Sequence, residues 1–325
     1  GPIVKDKGSF LIGGRASYAH LFLKLSEKQK DNSAYFYDLN TKLSYKLNDN
    51  NSLYLSGYFG RDVFSLNKSF TNIYGNSTLN LRWNHLYSDK LFANLSLIYS
   101  DHYYGLDLDF VGFKWDSGIK NYNIKYDFKN YISDKFKLNY GLSGIYYEFN
   151  PGTIKPSNDT SGINPDQLDK KYAFEPSLYL DAENQLSKKI TIAYGLRYSL
   201  FYRLGASTIN YYDNNEPVIF NTDMQIYEKG TPTSTQYFSK NKVIQNYNNF
   251  EPRLSASYQI NDDQSVKASY NRMAQYLQLI SNTSSPTPLD VWMPSDNYIK
   301  PQIADQVALG YFRNINSGAY SVEVE

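Results

Sequence analysis

Hydrophobic and polar residues alternate one by one along most of this chain, and that period of two predicts β-strands. From Tyr37 to Leu47, Tyr37, Leu39, Thr41, Leu43, Tyr45 and Leu47 share one face, while Asp38, Asn40, Lys42, Ser44 and Lys46 share the other. From Ile190 to Tyr202, Ile190, Ile192, Tyr194, Leu196, Tyr198, Leu200 and Tyr202 oppose Thr191, Ala193, Gly195, Arg197 and Ser199. From Phe250 to Ile260, apolar even positions oppose Glu251, Arg253, Ser255, Ser257 and Gln259, and the stretches 122–129, 136–143 and 172–183 follow the same rule. Helical spacing is confined to one turn suggested by Leu21, Phe22, Leu23 and Leu25. The charges gather on one face of each strand, as lipid on one side and water on the other would impose. The runs cover roughly 10–14 residues. Soluble strands average about 5–6, whereas a tilted strand needs about 9–11 to cross a bilayer.

The connections alternate between short and long. Short turns rich in Asn, Asp, Ser or Lys stand at 48–51, 88–90, 133–135, 187–188, 261–263 and 314–316, and suit tight hairpins. Between them lie long connections at 19–34, 62–77, 104–118, 150–170, 204–247 and 274–304, giving about thirteen strands. An open sheet edge cannot persist in hydrocarbon, so the expected fold is an all-β antiparallel transmembrane β-barrel. The expected interior carries Arg15, Asp38, Lys42, Arg82, Lys125, Asp127, Glu175, Asp181, Glu183, Arg197, Glu251, Arg253 and Lys267. Such mixed charge needs water or a polar plug, which points to a segment of a large barrel of about 22 strands with a plugged lumen. The competing architecture is a soluble β-sandwich or propeller with one wet face, for instance one that binds carbohydrate. The irregular spacing of turns gives a propeller no support.

Composition narrows the functions. Lys and Arg total 33 against 32 Asp and Glu, a net charge of +1, which offers no basic surface for nucleic acid. The absence of cysteine excludes disulfides, thiolate metal sites and cysteine nucleophiles. Mean hydropathy is −0.56, yet the chain has 33 tyrosines, a residue suited to boundaries between apolar and wet surfaces. No apolar run approaches the roughly 18 residues of a spanning helix. Gly1-Pro2-Ile3 opens no signal peptide and residues 320–325 read as a strand cut midway, so residues 1–325 are expected to be a barrel segment of something longer. His20, His85 and His102 lack the spacing of a helical metal pair. Asp101 beside His102 is the one hint of acid–base chemistry, and no catalytic residue, metal site or cofactor is assigned.

The stretch 249–313 is the most specific. It holds Asn249-Phe250-Glu251-Pro252-Arg253-Leu254-Ser255, Lys267-Ala268-Ser269-Tyr270-Asn271-Arg272, Pro288-Leu289-Asp290-Val291-Trp292 and Lys300-Pro301-Gln302-Ile303-Ala304-Asp305-Gln306. It resembles the C-terminal half of the barrel in TonB-dependent receptors of the Bacteroidetes type. Gly8-Ser9-Phe10-Leu11-Ile12 with Arg15 and Tyr18 resembles the strand that follows the plug domain in that family. Leu55 to Asp62 and Leu81 to His85 are similar as well, and the abundance of Tyr, Asn and Lys suits that phylum.

The resemblance implies an outer-membrane transporter that imports a scarce nutrient (siderophore, vitamin, glycan or peptide) with energy from the TonB complex. Implied partners are outer-membrane lipid, the protein's own plug domain, TonB acting through an N-terminal TonB box, and a companion surface lipoprotein. Neither a plug nor a TonB box is present in these residues. A passive porin or a structural barrel subunit of a larger surface complex is the alternative. Candidate ligand contacts are Tyr276 and Trp292 in one long loop and Tyr237 and Phe238 in another. Arg15, Arg82, Arg197, Glu251, Arg253, Asn271 and Arg272 are the candidates for contact with the lumen or plug. If the faces are read correctly, Leu196→Arg disrupts assembly, at about 2–4 kcal/mol near the bilayer midplane, whereas Arg197→Leu is much milder for insertion. The heat-modifiable mobility of each variant in outer-membrane fractions reports this, and equal assembly of the two would reverse the face assignment.

Overall fold

In a computed structural model, residues 1–18, 20–280, 291–315 and 318–325 are described. The strands are β1 (Pro2–Val4), β2 (Gly8–Ala16), β3 (Ser33–Asn48), β4 (Asn51–Leu66), β5 (Phe70–Ser88), β6 (Leu91–Leu108), β7 (Phe113–Ser133) and β8 (Phe136–Pro156). They continue as β9 (Asp166–Gln167), β10 (Lys171–Gln185), β11 (Ile190–Leu204), β12 (Ser207–Tyr211), β13 (Val218–Asn221), β14 (Ile226–Lys229) and β15 (Ser234–Phe238). The last are β16 (Val243–Asn261), β17 (Gln264–Gln275), β18 (Leu277–Ile280), β19 (Val291–Pro294), β20 (Gln302–Ile315) and β21 (Tyr320–Val324). One large sheet takes fourteen of these in chain order, β1 to β8, β10, β11, β16, β17, β20 and β21, with β9 added beside β8. Every pairing is antiparallel. Among the described residues the sheet is open, with β1 and β21 at its two edges. The suggested helical turn exists as α1 (His20–Leu23).

The strands are longer than the alternation predicts. β7 and β8 each have 21 residues, β5 has 19 and β6 has 18. At about 3.3 Å per residue, 21 residues span about 70 Å, or about 50 Å of height at a tilt of about 45°. An apolar band is about 25 Å tall. Two of the expected long connections are therefore strand. β4 and β5 pair as far as Leu66 opposite Phe70, and β6 and β7 pair as far as Leu108 opposite Phe113. Beyond the apolar band both faces of a ladder can be wet, so alternation fades at residues such as Asn72 and Asp107 while pairing continues. Gly112 closes the second hairpin with φ +72°. A Cβ there would also strike the Ser161 side chain, whose hydroxyl donates to the Gly112 carbonyl at 2.6 Å. Of the turn expected at 314–316, Ile315 ends β20 and Asn316 lies outside the described residues, as do Pro288, Leu289 and Asp290.

Register turns the sequence alternation into two continuous faces. On one, Leu43, Leu55, Leu81, Leu97 and Ile124 stand side by side on β3 to β7. The next row toward the long loops is aromatic, with Tyr99, Tyr122 and Tyr146 aligned. Beyond it, Asp101, Lys120 and Glu148 align, and Lys170 bonds Glu148 at 2.7 Å. The order leucine, tyrosine, charge is that of a lipid-facing wall rising through an aromatic girdle to water. Large apolar side chains on this face stay bare, as with Leu178 at 59% and Leu254 at 52% exposure. Toward the short turns, Trp83, His85, Tyr87, Phe128 and Tyr140 make a second aromatic group. The opposite face is polar, and one row reads Arg82, Ser96, Lys125, Ser143, Ser177, Ser199 and Asn249 across seven strands.

Candidate functional site: a loop strap folded onto the polar face

The ladder of β17 ends at Gln275, and the chain then leaves the large sheet. The β18–β19 hairpin that follows lies against β7, β8 and β10, several strands away. Tyr276 is the anchor. It is 2% exposed, and its ring stacks on Phe201 at 4.8 Å with an interplanar angle of 1°. Tyr147, Phe149 and Ala173 complete the buried cluster, with Leu277, Trp292 and Tyr247 packed at its margin. Those aromatic residues sit on the polar face because the strap covers them there and excludes water.

The hydroxyl of Tyr276 joins a chain of bonds that all run one way. Asn249 Nδ2 donates to it at 2.8 Å, it donates to Ser199 Oγ at 2.7 Å, and Ser199 donates to Glu251 Oε1 at 2.5 Å. Glu251 can only accept when ionised, which fixes the direction. Burial pushes the Tyr276 phenol up from its ordinary pKa, so the donor keeps its proton. Arg197 lies between two carboxylates, 3.5 Å from Glu175 and 3.8 Å from Glu251, and Tyr147 donates to the other oxygen of Glu175 at 3.1 Å. Two further bonds hold the far end of the strap. Tyr247 donates to the Asp296 carbonyl at 2.6 Å, and Tyr298 donates to the Asn210 carbonyl on β12 at 2.7 Å.

The predicted site residues divide. Tyr276 and Trp292 meet in the strap. Tyr237 and Phe238 lie apart on the β12–β15 ribbon, Tyr237 at 67% exposure. Arg197 and Glu251 share one network. Arg15 grips Asp38, its Nε donating to both carboxylate oxygens at 3.2 and 2.9 Å. Arg82 lies over the Tyr54 ring at 4.8 Å. Arg253 stands opposite Gly195 and Asn271, on the polar face. Arg272 does not join them. It follows Asn271 in an unbroken ladder, so it projects from the opposite face, 3.6 Å from Asp305. The same one-step rule separates Asp101 from His102, whose Nδ1 lies 3.1 Å from Asn76 Oδ1. The described residues contain no group of three or more His, Cys, Asp or Glu side chains placed to hold a metal.

Sequence reasoning passed over Ser199, Phe201, Asn249 and Tyr147. Each looks ordinary within its own strand, and only cross-strand register brings them under Tyr276. An apolar groove lined by Leu178, Leu180, Tyr194 and Leu196 opens on the bare face.

The family described as TonB dependent receptor-like, beta-barrel matches residues 10–323. This chain belongs to that family. Among solved structures, the ferric-catecholate import receptor Fiu of E. coli K12 in its closed form superposes with a TM-score of 0.63 at 11% identity, over 97% of this chain and 53% of that one. The hemophore receptor HasR of Serratia marcescens, solved as a double mutant with its hemophore HasA and heme, gives 0.61 at 13%, over 95% and 47%. The siderophore receptor PiuA of Acinetobacter baumannii gives 0.61 at 10%, over 97% and 52%. The chain thus spans about half the length of these receptor structures, and at such identities the likeness is one of fold. No curated protein sequence matches it.

For this receptor barrel the Tyr276 anchor predicts two results. Tyr276→Phe leaves Asn249 and Ser199 without their shared partner, at about 1–3 kcal/mol for buried unsatisfied groups. It should expose the strap near residues 291–299 to added protease while the sheet stays resistant. Arg197→Leu, mild for insertion by alternation alone, leaves Glu175 and Glu251 facing each other and should lower the urea midpoint of the folded protein. Unchanged cleavage and an unchanged midpoint would remove the strap network from the account.

Proposed function

We propose that this chain forms much of the barrel wall of an outer-membrane TonB-dependent receptor that imports a scarce nutrient as a chelate or other solute too large for passive pores. The single observation that carries the reading is the strap. Toward the long loops, part of the polar face of a spanning sheet is covered by a loop hairpin, as suits a wall that admits cargo only when something opens it. Family membership supports the outer-membrane location, and the leucine, tyrosine and charge rows support the same placement.

The finer parts of the reading follow from it. The fourteen ordered strands, with about half of each receptor structure covered, favour one wall of a barrel of about 22 strands. A plug domain is then the natural partner for Arg82, Arg253, Asn271 and Lys125, whose polar groups need a wet or polar neighbour. TonB is the energy source for moving that plug. The richness in Tyr, Asn and Lys favours the Bacteroidetes type, where a surface lipoprotein is a partner to seek. Cargo of the ferric chelate or heme class is the first to try, since the receptors Fiu, PiuA and HasR carry those names.

The test is uptake of labelled ferric chelates and heme by cells that express the full receptor, with and without a protonophore. A TonB-energised receptor loses concentrative uptake when the proton gradient collapses, by tenfold or more. Uptake that persists unchanged would favour the passive porin.

A further inference from the structure

We propose that the bare face of the wall carries a seat for one membrane lipid, in which Arg61 takes the headgroup phosphate, Asp101 takes a headgroup ammonium, and a leucine groove beside them takes an acyl chain. The inference rests on the outer-membrane placement and on nothing about cargo, plug or TonB.

Register builds the seat on β4, β5 and β6. One row sets Arg61, Gly75 and Tyr103 side by side, and the next row toward the short turns sets Phe59, Ser77 and Asp101. These six residues line a groove of about 280 Å³. The groove stands at the aromatic boundary of the wall. Phe59 lies 6.0 Å from the Tyr37 ring, and Tyr99, two residues from Asp101, lies 5.3 Å from the Tyr122 ring. Such a boundary in a spanning wall meets lipid headgroups.

The floor of the groove is Gly75. A glycine inside a strand weakens it and marks a bend, a bulge or a close approach to the backbone. Gly118, in the same row, has a steric reason, since a Cβ there would strike the His102 carbonyl. Gly75 has none. A Cβ added there meets nothing nearer than the Gly60 carbonyl at 3.6 Å and the Tyr103 ring at 3.7 Å, and its φ lies outside the left-handed region. Its ladder to both neighbours is unbroken. Tyr103 leans along its own strand over Gly105, its hydroxyl donating to Asp116 Oδ1 at 2.6 Å, and so leaves the floor uncovered.

Charge names the occupant. Among the described residues, Lys114, Lys120, Lys155 and Lys170 each have a carboxylate within 4.0 Å, from Asp107, Asp101, Asp116 and Glu148. Arg61 has none within that distance. Its guanidinium fork suits the oxygens of a phosphate. Asp101 is the least satisfied of the four carboxylates. Lys120 stands 3.8 Å from its Oδ2, and the Tyr99 hydroxyl donates to that same oxygen at 3.2 Å, which leaves Oδ1 for an ammonium. Toward the short turns, a second groove of about 440 Å³ is lined by Leu79, Leu81, Leu97 and Ile124. Leu79 follows Ser77 on the same face of β5, so one groove begins where the other ends. Phosphate, ammonium and hydrocarbon chain together match this order, and a free phosphate matches only its first part.

The experiment titrates dioleoylphosphatidylethanolamine into the delipidated, detergent-purified full receptor and counts bound lipid by native mass spectrometry. Only receptor that keeps its heat-modifiable mobility is measured. One lipid should bind about tenfold or more tightly than dioleoylphosphatidylglycerol, which has the phosphate but no ammonium; that is the scale of one hydrogen bond to a charged group. Arg61→Gln should weaken binding by a similar factor. Gly75→Leu, which the backbone accommodates, should do the same by filling the seat. Asp101→Asn should abolish the preference between the two lipids. Equal binding of both lipids to the unaltered receptor, displacement by O-phosphoethanolamine at equal concentration, or unchanged affinity in Arg61→Gln would each overturn the proposal. If Gly75→Leu does not assemble, Arg61→Gln and Asp101→Asn decide it. Lipid binding in detergent needs neither cargo nor energy, so a failed uptake assay and a failed seat remain distinct results.

Discussion

Each peptide N–H and C=O that enters hydrocarbon needs a partner within the protein, and in this fold only a neighbouring strand supplies it. The rest of the structure follows from that constraint. The chain meets it in the simplest way, with each large strand pairing with the next in sequence and no crossover. Once the ladder is fixed, the pleat sends successive side chains to opposite faces. A single row such as Leu81, Leu97 and Ile124 therefore faces one medium, while the adjacent row of Arg82, Ser96 and Lys125 faces another. The same constraint ends where lipid ends. Beyond the tyrosine rows the hairpins β4–β5 and β6–β7 continue as ladders, where a membrane-spanning wall would stand in water.

The polar face is not uniform. Toward the short turns it carries charges that meet within the sheet, such as Lys137 with Glu183 at 2.9 Å. Toward the long loops it carries Phe201, Phe149 and Tyr147, which require cover, and the strap supplies it through Tyr276. Covering that region with a loop rather than with sheet makes the cover removable. Among the described residues its hold includes the Tyr276–Phe201 stack, the directed run of hydrogen bonds, the packing of Leu277, Val291 and Trp292, and the contacts of Tyr247 and Tyr298 at the far end. None of these is a ladder hydrogen bond of the large sheet.

Much of the wall was legible in the sequence, because period-two alternation depends only on neighbouring residues. The faces of Tyr37–Leu47, Ile190–Tyr202 and Phe250–Ile260 were readable for that reason, as were the short turns at Asn48, Ser88 and Ser133. Strand length was not, since alternation disappears wherever both faces are wet. The Arg272 assignment failed on the rule that succeeded elsewhere: two consecutive residues in one strand cannot share a face. The site was legible only as a list of aromatic loop residues. Tyr276 and Trp292 were among them, but their partners Ser199, Phe201 and Asn249 come from strands whose register no local pattern reveals.

The central claim is that β11 separates lipid from an interior at every residue. Residues 1–325 hold no cysteine, so once any cysteine elsewhere in the receptor is replaced, single cysteines from Thr191 to Ser199 can each be spin-labelled in the receptor reconstituted in lipid and challenged with oxygen and a water-soluble nickel chelate. Collisions with oxygen should peak at Ile192, Tyr194, Leu196 and Tyr198 and fall at Thr191, Ala193, Arg197 and Ser199. A flat profile, or shielding of Tyr194 and Leu196 from both reagents, would contradict it.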